Sequence, residues 1–285
     1  MAQVASGEVK NQDLSAVESA VGVVDVITAA DIPGQVDIGP VFAGDPLLVE
    51  QHITYFGQPL FAVAATSRDA ARKACLLGQA NIEPSPASLT LAQAQSSNKQ
   101  VRPSHSLVKG NSRQGLANAP HQLTIKQQVG GQEHFYLEGQ AALVFPQEGG
   151  DMVVHSSTQH PTEIQHKVAE AIGLPMHAVR CEVRRMGGGF GGKETHAAPW
   201  ACIAAVFASR NGVATTCRLS RKDDMTMTGK RHNFQNRYDV GFDDAGRIEG
   251  ISYQLAGQCG YSPDLSDAIV DRAMFHCDNA YYLAN

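Results

Sequence analysis

Between Met186 and Glu194 the chain reads Met-Gly-Gly-Gly-Phe-Gly-Gly-Lys-Glu, five glycines in six positions around one phenylalanine. Such a run has almost no side chains and adopts backbone angles that other residues avoid. It marks a loop whose main-chain N–H groups can come close to an anionic group or a cofactor. What it approaches is the first functional question that the sequence poses.

Two nucleotide-binding patterns overlap this loop. Gly187, Gly192 and Lys193 satisfy G-x-x-x-x-G-K, but that pattern needs Ser or Thr next to hold magnesium. Glu194 stands there instead, facing a triphosphate with like charge, and Thr195 comes one residue late. Gly187, Gly189 and Gly192 satisfy G-x-G-x-x-G, which needs a buried strand before it and an acid about 20 residues on. The run from Val179 to Arg185 alternates apolar and charged residues, the pattern of a half-exposed strand. The acids after the next helix, Asp223 and Asp224, lie too far along. A turn that lets a helix pack closely explains some of the glycines, but not five of them around Phe190.

At 285 residues, the chain can bury one large core or two ordinary ones. Its 43% hydrophobic and 18% charged residues describe a globular protein, with no apolar run near the roughly 20 residues that span a bilayer. The start, Met1 to Ser15, is polar and carries Glu8 and Asp13, unlike a secretory or transit peptide. The six cysteines form no C-x-x-C pair, which argues against a zinc or iron–sulfur site and against a disulfide framework. Free thiols in a reducing cytoplasm are expected. Residues 1–95 hold four Lys/Arg against ten Asp/Glu and the remainder nineteen against eighteen, so no basic excess marks a nucleic-acid binder.

Apolar patterning predicts strands at 21–27, 52–55 and 59–65, then a helix over 68–79 capped by Ser67, together a small α/β unit. Residues 93–122 are rich in polar turn formers, which places a linker at 96–122 between domains over 1–95 and 123–285. Further strands are predicted at 123–129, 140–145, 151–156, 215–220, 236–242 and 247–257, the last two joined by a turn at 242–247. A helix over 161–173 has Thr158 as its cap and Gly173 as its end. An alanine-rich helix over 199–210 closes at Asn211-Gly212.

A second unusual string runs Gly130-Gly131-Gln132-Glu133-His134-Phe135-Tyr136-Leu137-Glu138. An amide such as Gln132, held by glycine backbone, suits a neutral, oxo-rich ligand. An exposed glutamine in a turn at a strand's start is the plainer reading, and both stay open.

Taken together, these two strings closely resemble the molybdenum hydroxylases, and within them the molybdopterin-binding subunit of xanthine dehydrogenases. The likeness extends through Ser157-Thr158-Gln159-His160-Pro161, Thr228-Gly229-Lys230-Arg231-His232, Asp264-Leu265-Ser266 and Asp271 to His276. The resemblance implies an α+β chain, a small α/β hammerhead domain followed by the first part of the molybdopterin-binding domain. In that family the pterin's dithiolene sulfurs hold molybdenum, so no cluster of protein ligands is expected. The family pattern makes Gln132, Gly189, Phe190 and Gly191 cofactor contacts, with Gln132 and Phe190 beside the molybdenum rather than ligating it by their side chains. It makes Glu194 a contact to a purine edge, which favours an oxopurine over a simple aldehyde.

The implied reaction is hydroxylation of hypoxanthine and xanthine to urate, with water as the oxygen source. Electrons would leave through [2Fe-2S] clusters and FAD to NAD, carriers with no motif here and therefore expected on a partner subunit or domain. No glutamate matches the family's catalytic base, which is expected beyond Asn285. The chain is thus expected to be a fragment that needs the rest of the molybdenum subunit, inactive alone, with no nucleic-acid or membrane partner. An aldehyde or other N-heterocycle hydroxylase, and a truncated non-catalytic binding module, are the alternatives.

Overall fold

The computed structural model describes residues 1–285. The first stretch runs β1 (Gly7–Asp13), α1 (Ser15–Glu18), β2 (Val23–Ile27), β3 (His52–Ile53), β4 (Ala62–Ala65), α2 (Arg68–Cys75) and β5 (Gln79–Pro84). Next come α3 (Leu91–Ser96), α4 (Ser112–Asn118) and β6 (His121–Val129). They are followed by β7 (Ala141–Pro146), β8 (Met152–Ser156), α5 (Pro161–Ile172), β9 (Val179–Glu182), α6 (Ala198–Asn211), β10 (Thr215–Arg218) and α7 (Arg221–Met227). The last elements are β11 (Phe234–Phe242), β12 (Ile248–Gly257) and α8 (Ser266–Phe275). No helix is long and apolar enough to cross a membrane.

Compactness groups Met1–Ala87 with Glu133–Lys230, and Ser88–Gln132 with Arg231–Asn285. This follows a different line from the compositional division at 95 and 122. The reason is burial: Ile27, Ile32, Ile38, Leu47 and Leu48 share one apolar cluster with Val144, Val154, Ile164, Val168 and most of α6. The span 96–122 includes helix α4, whose N-cap Asn111 accepts a hydrogen bond from the Gln114 N–H.

In the first unit, β7 and β8 pair antiparallel and β9 joins β8 in parallel, giving the sheet order β10-β7-β8-β9. Strand β9 is therefore an edge strand, which accommodates its charged Arg180 and Glu182. Trp200 to Ala208 on α6 are all buried, so this helix is apolar on every side and serves as the core element. Helices α5 and α6 both end at a left-handed glycine, Gly173 and Gly212. Ser67 caps α2 by accepting the Ala70 N–H. Thr158 does not cap α5, whose N-cap is His160; its hydroxyl instead donates to the Lys193 carbonyl and accepts the His160 N–H, each at 3.0 Å.

The second unit is built on the sheet β12-β11-β6. The β11–β12 turn closes through Asp243 and Arg247 with Gly246 at φ +78°. Strand β6 is exposed along its whole length, and Leu91, Ala119 and Leu283 are the apolar residues buried in this unit. Arg102 holds α8 through a paired contact with Asp271.

The last carbonyls of α5 are satisfied from outside the helix, because the N–H groups of Gly34 and Gln35 donate to Ala171 O and Glu170 O at 3.0 and 2.9 Å. A Cβ at Gly34 would stand 2.0 Å from Glu170 O. Gly34→Ala is therefore expected to lower the unfolding free energy by about 2–3 kcal/mol. Urea titration followed by fluorescence of Trp200, the single tryptophan, measures this.

Candidate active site

The glycine loop folds into a tight turn, with the Gly192 N–H donating to Gly189 O at 2.8 Å. Phe190 and Gly191 at its centre have φ of +55° and +87°, the signs of a type I′ turn. For a phenylalanine this conformation costs roughly 1–2 kcal/mol. Phe190 is left 74% exposed.

What holds the turn is the chain itself. The Gln159 Oε1 accepts the Gly191 and Lys193 N–H groups at 2.9 and 3.2 Å, and the Gln159 N–H donates to Lys193 O at 2.8 Å. At the other end, the Gly187 N–H donates to Glu138 Oε2 at 2.8 Å, and the Glu138 N–H returns a bond to Gly187 O. A Cβ at Gly187 would lie 2.6 Å from Glu138 Cβ, at Gly189 2.5 Å from Gln159 Oε1, and at Gly192 2.7 Å from the His134 ring. These three glycines make room for neighbouring protein segments. Gly191 meets nothing within 4 Å, and its positive φ is what calls for glycine.

Beneath the turn lies a buried polar layer. Lys193 is fully buried, its Nζ donating to Ser157 Oγ at 2.6 Å, 3.6 Å from Glu138 Oε2 and 4.6 Å from the Tyr136 ring centre. Burial pulls its ammonium below the ordinary lysine range, against the attraction of Glu138. Burial also raises the Glu138 carboxyl, but the Gly187 N–H, the Ser157 hydroxyl and Lys193 outweigh it and hold the group below the usual carboxylate range.

The Tyr136 hydroxyl donates to Asp224 Oδ1 at 2.6 Å, and burial with this bond pushes the phenol up, keeping it protonated. Asp224 Oδ2 accepts the Gln140 N–H at 2.7 Å, while Gln140 Nε2 donates to the Tyr136 hydroxyl and to Gly192 O. Arg221 donates to the carbonyls of Tyr136 and Leu137.

Of the residues singled out in the sequence, Gly189, Phe190 and Gly191 form the turn, and Glu194 follows it, half-buried. Gln132 belongs to the second unit, in a bridge to Arg231, whose Nη1 donates to Gln132 Oε1 at 2.5 Å. Gln159, Glu138, Ser157, Gln140 and Asp224 were given no role from sequence, although Gln159, Ser157 and Glu138 sit inside the strings that carried the resemblance. Gln159 is exposed and spends its carbonyl on the turn, which leaves its amide NH2 to donate. No group of three or more His, Cys, Asp or Glu could hold a metal ion. An amide donor beside open backbone suits an organic cofactor that brings its own metal ligands.

Two family models match the chain, the aldehyde oxidase and xanthine dehydrogenase a/b hammerhead domain over 1–86 and the molybdopterin cofactor-binding domain over 93–285. The chain belongs to the molybdenum hydroxylases. It is 36% identical over 281 residues to a xanthine dehydrogenase of Dictyostelium discoideum, which covers 99% of this chain and 21% of that protein. It is 39% identical over 279 residues to a xanthine dehydrogenase of Oryza sativa subsp. japonica, covering 96% and 20%. This molybdenum hydroxylase chain thus spans about a fifth of the length of these relatives. In fold it is similar to the aldehyde oxidoreductase from Desulfovibrio desulfuricans, with a TM-score of 0.83 at 22% identity over 95% of this chain and 32% of that one. The expected α+β architecture, a hammerhead domain followed by part of a molybdopterin-binding domain, is the one found.

Next to the loop, burial pushes the His196 imidazole of this hydroxylase chain down to about 4. Unfolded, the same ring takes up its proton near 6.5. Stability from this residue is therefore complete above that value and is lost as pH falls toward about 4. Between pH 7 and pH 5 the loss is expected to be roughly 2 kcal/mol. Urea unfolding at both pH values should show this loss in the wild type, and His196→Gln should lack it.

Proposed function

We propose that this chain forms part of a xanthine dehydrogenase-type enzyme that hydroxylates hypoxanthine and xanthine to urate. The observation that carries the reading is the turn at Gly189–Gly192, clamped by Gln159 and followed by Lys193 and Glu194. The pterin-held molybdenum supplies the redox step, with water as the oxygen source. Backbone at Gly189, Phe190 and Gly191 would hold that cofactor, with Phe190 and Gly191 the exposed part of the turn.

The Gln159 carbonyl oxygen is engaged by the turn, so this amide offers its NH2 to the cofactor. Gln132, whose carbonyl is engaged by Arg231, keeps the cofactor contact that the family pattern implies. Gln159 has the further merit of being bonded to the turn itself. Glu194 accepts or shares a hydrogen bond with the purine edge and, left unpaired, disfavours a simple aldehyde. No residue of this chain is assigned the catalytic base. The FAD and [2Fe-2S] carriers and the rest of the molybdenum subunit are partners in this reading, and the setting is cytoplasmic.

Molybdenum content and released pterin, measured on purified enzyme, separate the two glutamines. Gln159→Ala is expected to weaken cofactor retention by about 10-fold or more, and Gln132→Ala by less. Equal retention in the Gln159 variant and wild type would remove Gln159 from the site. Glu194→Ala in the complete enzyme is expected to lower kcat/KM for xanthine by about 100-fold with cofactor content unchanged. Unaltered xanthine turnover in a fully loaded variant would count against the purine assignment.

A further inference from the structure

The reading above gives Lys193 no task, although it is the only lysine with a fully buried side chain. Its ammonium touches groups that themselves hold the turn. Glu138 Oε2 receives the Ser157 hydroxyl and the Gly187 N–H at 2.7 and 2.8 Å and lies 3.6 Å from Lys193 Nζ. Ser157 bridges the two, accepting from Lys193 and donating to Glu138. The main chain of Lys193 is fastened as well, its N–H to Gln159 Oε1 and its carbonyl to the Gln159 N–H and the Thr158 hydroxyl.

One residue therefore ties both ends of the glycine turn, its side chain reaching the Gly187 end and its backbone forming the Gly192 end. The other charged and titratable groups around the ammonium are Asp224, Arg221 and the Tyr136 ring. The Glu138 side chain keeps 41% of its surface in solvent, and an ion pair with one wet member adds little net stability. Its retention under a strained turn is better explained by geometry.

We propose that the Lys193–Glu138 pair, bridged by Ser157, is the positioning device of the glycine turn, setting the conformation in which Phe190 and Glu194 are presented to the ligand. What that ligand is rests on the proposed function, but the positioning itself does not.

The test uses Lys193→Met combined with Glu138→Gln, which removes both charges of the pair together, while Asp224 keeps its hydrogen bonds from Tyr136 and Gln140. The readout is hydrogen exchange of the Gly191 amide, resolved by NMR. This amide bonds to Gln159 and touches neither replaced side chain. In the folded double variant its exchange is expected to rise about tenfold or more, while the urea midpoint of Trp200 fluorescence stays close to wild type. Unchanged Gly191 exchange in the folded protein overturns the proposal. Should the double variant not fold, Glu138→Gln alone is read in the same way with the same two outcomes. Molybdenum content is measured in parallel. Faster exchange with undiminished content keeps the positioning role and counts instead against the turn as a cofactor contact.

Discussion

A cation without water around it must be compensated by the chain, and the packing around the site follows from how Lys193 is compensated. Its partners come from segments far apart in sequence: Tyr136 and Glu138, Ser157, and Asp224 on α7, while Arg221 on the same helix opposes it as a like charge. The four-stranded sheet makes this convergence possible. Strands β7 and β8 pair antiparallel with Ala142 opposite Ser156, so the start of one lies beside the end of the other. Gln140 precedes β7 and Ser157 follows β8, and both reach the same buried layer. The glycine loop closes over it from the C-terminal side of β9.

Strain is concentrated in the same place. Phe135 and Phe190 both have positive φ, +49° and +55°, and both are exposed. Bulky residues persist in such conformations only where their surroundings over-determine them. For Phe190 those surroundings are the Gln159 clamp and the Gly189–Gly192 bond. For Phe135 they include the carbonyls of Tyr136 and Leu137, pinned by Arg221, whose guanidinium lies 5.4 Å from the Phe135 ring centre.

Elements defined by local chemistry were legible in the sequence. Ser67, Gly173, Gly212 and Gly246 all act at the positions their residue types announce. Thr158 misled because its hydroxyl found a tertiary partner, Lys193 O, 35 residues away. The glycines at 187, 189 and 192 were ambiguous for a related reason. Absent side chains advertise a close approach without saying to what, and here the nearest approach is to Glu138, Gln159 and His134. Gln159 carried no periodic signal, being one exposed amide at a helix entrance. The interleaving of the two compact units was equally hidden, since it depends on which apolar side chains meet and not on the composition of the segment between them.

The thin interior of the second unit has a consequence for motion. Its three strands are well laddered, but backbone bonds exchanged for bonds to water contribute little on their own. With Leu91, Ala119 and Leu283 as its buried apolar residues, this unit opens at lower free energy than the part of the chain built around α6. Gln132 and Arg231 thus ride on the smaller unit, the one that breathes more readily. A ligand that engages them gives up some binding energy to quiet that breathing, and its occupancy can be followed as protection of β6 and β11 amides rather than as any change in shape.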